Sequence, residues 1–232
     1  MAKLYLVPNV LSDSDWQNVL PAQVFKILTE TRFFIVENVR TARRFLKKVN
    51  QEIDIDSLTF FELNKYTEKS DLPKFLEPAK ENNVAVISEA GCPGVADPGA
   101  EIVNLAHQKN IPVVPVTGPS SIVLSLMASG LNGQNFAFNG YLPVKPQERQ
   151  RAITNLEKKA RNEKQTQIFI ETPYRNNQMV SAILKTCSSS TPFCIAANLT
   201  AENEFIKTKT ISNWKKNVPN LHKQPAIFLI GM

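Results

Sequence analysis

Residues 84–121 constrain the fold of this chain more than any other stretch of its sequence. They hold four of the eight glycines and read as an apolar run, a Gly- and Pro-rich loop, a periodic segment, a second apolar run and a second Gly-Pro loop. Short runs rich in β-branched residues predict strands, and apolar residues three to four apart predict a helix. This alternation is typical of a parallel sheet, whose ligands bind beyond the carboxyl ends of the strands. The two glycine-containing loops are therefore the first candidates for a binding site.

The same reading along the whole chain predicts two α/β domains. In the N-terminal domain, residues 1–117, strands are predicted at 4–7, 32–36, 59–63, 84–87 and 111–116, and helices at 21–29, 41–49, 71–82 and 100–108. In the C-terminal domain, residues 118–232, strands are predicted at 136–141, 167–170, 192–199, 205–212 and 226–230, and helices at 120–129 and 176–186, with a basic loop leading into a further helix over 143–162. Strands alternate with helices in the first domain, which predicts a parallel sheet. The second has more strands per helix, which predicts a mixed sheet.

The charge of the chain is unevenly distributed. Residues 1–118 carry 13 Lys and Arg against 15 Asp and Glu, whereas residues 119–232 carry 14 against 6, a net charge of +8 for the second part. An excess of one sign indicates a polyanionic partner such as nucleic acid, or a basic surface that is simply solvated.

Several classes of protein are excluded by what the sequence lacks. Its three cysteines and two histidines show no metal-ligand spacing, so no metal site is predicted. No apolar run approaches the ~20 residues of a membrane span, and the first residues read as a strand rather than a secretory signal, so we expect a cytoplasmic protein without a membrane partner. The fingerprints of dinucleotide binding, P-loop hydrolysis and serine hydrolysis are absent.

Three segments in and beside the opening stretch resemble the tetrapyrrole methylase superfamily. They read Ile87-Ser-Glu-Ala-Gly-Cys-Pro-Gly-Val-Ala-Asp-Pro-Gly99, Val113-Val-Pro-Val-Thr-Gly-Pro-Ser-Ser121 and Ala128-Ser-Gly-Leu131. Further segments follow in the family's order: Leu4-Tyr-Leu-Val-Pro8, Glu37-Asn-Val-Arg40, Phe138-Asn-Gly-Tyr-Leu-Pro143, Glu171-Thr-Pro-Tyr-Arg175 and Asn198-Leu-Thr200. The similarity covers nearly the whole chain and is greatest to the branch that contains the small-subunit ribosomal RNA cytidine 2′-O-methyltransferases.

The resemblance implies a methyltransferase that depends on S-adenosylmethionine (SAM). Its fold would be two α/β domains of the tetrapyrrole methylase type with a cofactor cleft between them, and the family commonly forms homodimers. Main-chain atoms would make most of the cofactor contacts. Carried over by motif, the cofactor-binding residues are Pro8, Ala90, Gly91, Cys92, Val95, Ser120, Ser121, Glu171 and Leu199.

The chain departs from the ribosomal RNA branch mainly in charged groups. Glu37-Asn-Val-Arg40 replaces Glu-Asp-Thr-Arg, so one acid has become an amide. Ala196-Ala-Asn-Leu-Thr200 replaces Ala-Arg-Glu-Leu-Thr and loses an Arg and a Glu, and Lys223-Gln-Pro225 stands where the branch has Lys-Gly-Glu. The cofactor-facing motifs are mostly kept, so methyl transfer is better supported than the identity of the acceptor.

A hydroxyl acceptor requires a group that takes its proton. The catalytic candidates are Glu37, Glu89 and Arg40, with Glu171 as a further possible proton acceptor. Each carboxylate has an alternative role as a helix cap or surface charge, and Glu89 has another as the partner of the cofactor's ammonium group.

The preferred acceptor is a ribose 2′-hydroxyl of small-subunit ribosomal RNA. A basic helix start containing Arg40, Arg43, Arg44 and Lys47 on one face, together with the basic segment 145–161, would contact RNA phosphates, unless these are solvated faces. Two alternatives stay open: methylation of a tetrapyrrole or corrinoid precursor, and a SAM-binding module without catalysis.

Overall fold

The structure, a computed structural model, describes residues 2–232; Met1, the first residue of the predicted N-terminal domain, lies outside them. The chain divides into two compact units, Met1–Ser120 and Ser121–Met232.

A five-stranded parallel sheet forms the first unit, in the order β3-β2-β4-β1-β5. Its strands are β1 (Leu4–Val7), β2 (Phe33–Val36), β3 (Thr59–Glu62), β4 (Val84–Ile87) and β5 (Val113–Pro115). Its helices are α1 (Ala22–Glu30), α2 (Val39–Val49), α3 (Leu72–Phe75) and α4 (Gly99–Gln108). The single helix predicted at 71–82 is wrong: α3 ends at Phe75 and a 3₁₀ turn follows at Glu77–Lys80, because Pro78 donates no helical N–H.

Both faces of this sheet are buried, which explains the continuous apolar strands. Ala85 and Ile87 of β4 pack into one hydrophobic cluster with Phe34, while Val84 and Val86 pack into the cluster on the opposite face. Alternate side chains of a strand point to opposite faces, so a strand covered on both sides must be apolar at every position.

The second unit contains a mixed sheet in the order β6-β7-β10-β8-β9. Its strands are β6 (Phe136–Tyr141), β7 (Thr166–Ile170), β8 (Pro192–Ala197), β9 (Phe205–Thr210) and β10 (Ala226–Ile230). Strand β6 is parallel to β7, whereas β10 is antiparallel to both β7 and β8. The carboxyl ends of β6, β7 and β8 therefore lie at the same edge of the sheet.

The helices of this unit are α5 (Ser121–Ser129), α6 (Pro146–Asn162), α7 (Asn176–Thr186) and α8 (Ile211–Trp214). Helix α6 buries Arg149, Ile153, Leu156 and Ala160, spaced three or four residues apart on one face. The strand predicted at 205–212 is two residues too long, because Thr210 caps α8 and its side chain accepts a hydrogen bond from the Asn213 amide. The strand predicted at 192–199 also ends early, at Ala197.

Candidate active site

Three loops meet at the carboxyl edge of the first sheet, after the neighbouring strands β4, β1 and β5. Asn9, which follows β1, exchanges both main-chain hydrogen bonds with Gly91, at 2.9 and 3.1 Å. The Asn9 side chain also donates to the carbonyl oxygens of Ser88 and Glu89, at 3.1 and 3.2 Å. Because Asn9 is buried, these bonds tie the first two loops firmly together.

The third loop approaches the first by way of Gly118. A Cβ atom built on Gly118 would lie 2.2 Å from Cγ and 2.3 Å from Cβ of Pro8. No side chain larger than hydrogen fits at that position, so Gly118 and Pro8 fix how the loops after β1 and β5 pack.

The loop after β4 keeps its shape through unusual backbone angles and one carboxylate. Gly91, Gly94 and Ala96 have φ values of 71°, 81° and 63°, in the left-handed region that glycine adopts most readily. Oδ1 of Asp97 accepts hydrogen bonds from the amides of Gly94 and Gly99, at 2.7 and 2.8 Å. Burial raises the pKa of Asp97, and these two amide bonds act in the opposite direction.

The predicted cofactor residues of this loop divide into buried and exposed positions. Gly91 is buried and Cys92 half-buried, whereas Ala90 and Val95 are exposed, Val95 by 49%. Pro8 is buried beneath Gly118. The loop thus presents small and apolar surface at the edge of the sheet, which suits a ligand held by main-chain atoms.

Cys92 links the loop after β4 to the loop after β5. Its Sγ donates weakly to the carbonyl oxygen of Pro119, at 3.4 Å, and burial raises the pKa of its thiol. Burial also raises the pKa of Cys194, and that of Cys187 to about 12. Thiols held in this protonated form are poor nucleophiles.

Two carboxylates stand beside the loop. Oε1 of Glu37, at the end of β2, accepts a hydrogen bond from the Glu89 amide at 3.3 Å. Burial raises the pKa of Glu37; the Glu89 amide lowers it, and the charges of Asp97 and Glu89 raise it further. The exposed Glu89 accepts a hydrogen bond from the Thr41 hydroxyl. The raised pKa makes the Glu37 carboxylate a stronger base than an ordinary Glu, which suits a group that takes a proton.

The residue after Glu37 explains one departure from the family pattern. Oδ1 of Asn38 accepts hydrogen bonds from the amides of Arg40 and Thr41, at 2.9 and 3.2 Å, and so caps α2. Asn and Asp are about equally good at this position, so the change from acid to amide keeps the cap.

Removing this cap is expected to destabilise the protein without removing the carboxylates. Asn38→Ala should lower the free energy of unfolding by about 1 kcal/mol, because the amides of the first helical turn lose their acceptor. Asn38→Asp should restore it. Urea unfolding of both variants measures the difference, and equal losses in the two would show that the cap is not the stabilising feature.

The basic start of α2 is divided between two faces. The guanidinium of Arg43 lies over the Phe60 ring at 5.4 Å, and Nζ of Lys48 lies 2.8 Å from Asp13. Arg44 and Lys48 line a groove of about 410 Å³ whose other wall includes Glu89 and Ala90. Arg40, Arg43, Arg44 and Lys47 are all exposed on α2, and the guanidinium of Arg43 is the one that contacts Phe60. The exposed Arg40 lies one turn before Arg44.

In the second unit, Glu171 lies at the end of β7 with a fully buried side chain. Its Oε1 accepts hydrogen bonds from Arg175, at 2.6 Å, and from the Thr172 amide, at 2.7 Å, while its Oε2 is buried without a hydrogen-bond partner. A buried carboxylate oxygen without a donor is costly, so it fits a ligand that carries amine or hydroxyl donors. SAM carries both.

Leu199 follows β8 at the same edge and is buried between two residues with left-handed backbone. Asn198 and Thr200 have φ values of 52° and 68°, and this conformation is strained for the β-branched Thr200. The Asn198 side chain donates to that of Gln224 at 2.9 Å. Two of the departures from the family pattern thus contact each other.

Ser120 and Ser121, the other predicted cofactor residues, end the first unit and begin α5 in the second. Reasoning from sequence missed Asn9, Asp97 and Gly118 as residues that shape the loops. Asp97 and Gly118 stand in the quoted motifs, but only the contacts reveal what they do. Among residues 2–232 no group of three or more His, Cys, Asp or Glu is placed to hold a metal ion, and no helix is long and apolar enough to cross a membrane.

Together, the parallel sheet, the main-chain loops at its carboxyl edge and the mixed second sheet define a methyltransferase fold of two α/β domains. Residues 18–214 match the family Tetrapyrrole (Corrin/Porphyrin) Methylases, and the chain belongs to that family. It is a SAM-dependent methyltransferase, which confirms the predicted two-domain α/β fold, enzyme class and cofactor.

Comparisons over the whole chain give more particular similarities. The chain is 28% identical over 234 residues to the ribosomal RNA small subunit methyltransferase I of Buchnera aphidicola subsp. Schizaphis graminum, covering 98% of this chain and 77% of that protein. It is 26% identical to the protein of the same name from Vibrio cholerae, covering 98% and 76%. The fold is similar to that of the Thermus thermophilus uroporphyrin-III C-methyltransferase complexed with S-adenosylhomocysteine, with a TM-score of 0.59, 16% identity and coverage of 99% and 97%.

Proposed function

We propose that this methyltransferase transfers the methyl group of SAM to a ribose 2′-hydroxyl of small-subunit ribosomal RNA. The observation that carries the acceptor class is the similarity, over 98% of the chain, to proteins named ribosomal RNA small subunit methyltransferase I. The carboxylates at the sheet edge and the basic residues around the groove beside Glu89 support it. A cytoplasmic location and a homodimer are part of the same proposal.

The cofactor would be held by the residues that the motifs predict. Ala90, Gly91, Cys92 and Val95 offer main-chain atoms and small side chains, with Pro8 supporting them from β1. Ser120 follows the third loop and Ser121 begins α5, while Glu171 and Leu199 stand at strand ends in the second unit. The unpartnered Oε2 of Glu171 would accept a hydrogen bond from the cofactor. SAM supplies a methyl group on a positively charged sulfur, so the protein's task is to align the acceptor oxygen and exclude water.

Glu37 would take the proton that the ribose hydroxyl loses as its oxygen forms the new bond to the methyl carbon. Burial and the neighbouring carboxylates raise its pKa, which makes its carboxylate a stronger base than an exposed Glu. Glu89 lines the groove that also contains Arg44 and Lys48, and this groove would receive the acceptor nucleotide. The Thr41 hydroxyl would hold Oε1 of Glu89 in place. Arg40, exposed in the first turn of α2, would contact a phosphate near the acceptor nucleotide.

Incubation with methyl-labelled SAM and total small-subunit RNA tests the acceptor. We expect the label on RNA, and we expect it in an alkali-resistant dinucleotide, because a methylated 2′-oxygen cannot attack the adjacent phosphodiester. A matched reaction with a uroporphyrinogen extract tests the tetrapyrrole alternative. Label on a base, or only in the pigment fraction, would contradict the ribose assignment, and SAM binding without any transfer would favour a binding module.

A further inference from the structure

A groove between α6 and α7 in the second unit is lined by cationic and neutral side chains. Its volume is about 590 Å³, and its walls include two cations, Arg149 and Lys185, with the amides of Gln150 and Gln178 and the hydroxyl of Ser181. None of its lining residues is acidic. Cations and neutral hydrogen-bond donors without a carboxylate make a surface that suits an anion.

Arg149 is the most informative residue of this groove. Its side chain is only 9% exposed, and its Nε is buried without a hydrogen-bond partner. An arginine is always charged, and a buried N–H of such a group is normally hydrogen-bonded. The groove beside it is therefore the place where a partner for this guanidinium would sit.

The acidic residues of the two helices do not neutralise this charge. In the described part of the chain, no ion pair includes Arg149 or Lys185. Glu148 of α6 pairs with Lys145 at 3.3 Å, and Glu157 accepts hydrogen bonds from Ser188 and Thr191. Helix α7 contains no acidic residue at all.

The groove begins on the side of the sheet where the candidate active-site residues of this unit lie. Helix α6 starts five residues after β6 ends, and α7 starts six residues after β7 ends. The first turns of both helices are thus near the carboxyl edge that carries Glu171. An extended anionic polymer that reached this edge of the second sheet would pass the groove.

We propose that the α6–α7 groove binds a phosphate of the RNA backbone, with Arg149 as the buried ligand and Lys185 as the exposed one. This inference rests on the proposed RNA acceptor and adds a contact away from the methylated nucleotide. Because phosphate contacts position RNA without reading its sequence, the groove would set the register of the RNA on the protein.

Lys185→Gln is the primary test, because Lys185 is exposed and its replacement should not disturb folding. Binding of small-subunit ribosomal RNA is measured at several salt concentrations. We expect roughly tenfold weaker binding at low salt, and a slope of log affinity against log salt that is smaller by about 0.7 to 0.9, the value for one lost phosphate contact. SAM affinity should not change. Lys26→Gln is the matched control: Lys26 is exposed on α1 and belongs to neither of the basic segments expected to contact RNA.

Arg149→Met is the second variant. It removes a cation whose buried Nε has no hydrogen-bond partner and which forms no ion pair in the described residues, so we expect a melting temperature at least equal to that of the natural protein, together with weaker RNA binding. If the natural protein binds RNA but Lys185→Gln and Arg149→Met bind it with unchanged affinity and salt slope, the groove assignment is wrong. If the natural protein binds no RNA, the proposed acceptor itself fails.

An experiment with inorganic phosphate distinguishes the two possible sources of the bound anion, which are the RNA backbone and free phosphate. The melting temperature is compared in phosphate and chloride buffers of equal ionic strength. One outcome would overturn the RNA assignment. If phosphate stabilises the natural protein but not Arg149→Met, and Lys185→Gln leaves RNA binding unchanged, the groove is a site for free phosphate.

Discussion

Glu37→Gln is expected to lower the rate of methyl transfer to RNA by about 10²- to 10⁴-fold, the range for loss of a positioned general base. Glutamine has the same shape and can still accept a hydrogen bond from the Glu89 amide, but it cannot take a proton. SAM binding, measured by calorimetry, should therefore stay within a few fold of the natural protein while the transfer rate falls.

The pH dependence separates a catalytic from a structural role for Glu37. The carboxylate form is the active one, so the rate of the natural protein should rise as pH increases through the raised pKa of Glu37. The small residual rate of Glu37→Gln should not show that rise. Single-turnover rates at a series of pH values, under saturating SAM, measure both profiles.

The free energy of unfolding provides the control. The direction in which it changes with pH follows from the raised pKa of Glu37. Because the pKa of Glu37 is raised on folding, the folded protein binds this proton more tightly than the unfolded chain, and stability falls as pH increases from the unfolded to the folded pKa. Glu37→Gln should then be at least as stable as the natural protein at pH 7. Transfer within threefold of the natural rate would contradict the assignment, and loss of transfer in Glu89→Gln alone would make Glu89 the base.

The arrangement of the loops could be predicted from sequence because it depends on local patterns. Apolar runs followed at once by Gly and Pro identify strands and their carboxyl ends, and parallel strands bring those ends to one edge. This is why the loops at Gly91 and Gly118 could be assigned to one region from the sequence, whereas Pro8 was placed there only by the family resemblance.

The roles of individual polar side chains could not be predicted in this way. The contact of Arg43 with Phe60, and that of Lys48 with Asp13, decide which basic residues face the groove. Both depend on residues that are distant in sequence, so helical spacing alone could not predict them. The unpartnered Nε of Arg149 likewise becomes apparent only when α6 packs on its neighbours, since the sequence shows one more basic residue in a basic segment.

The departures from the family pattern have local physical explanations where the structure describes their contacts. Asn38 keeps a cap that Asp would also form, so the lost charge does not alter the start of α2. Asn198 and Gln224 form a neutral amide pair in place of the branch's Glu and Gly. Neither change alters the main-chain loops at the carboxyl edge of the first sheet.

Gly118→Ala should produce the largest effect of a single added methyl group. Its Cβ would lie 2.2 Å from the Pro8 ring, whose atoms cannot rotate away, so the loops after β1 and β5 must separate. We expect a loss of about 1–3 kcal/mol in the free energy of unfolding, the usual cost of overpacking, and loss of measurable SAM binding, because both loops carry predicted cofactor residues. Gly133→Ala is the matched control, since a Cβ there meets nothing within 4 Å. If Gly118→Ala binds SAM with normal affinity, the packing of these loops is not required for cofactor binding, which would contradict their proposed role.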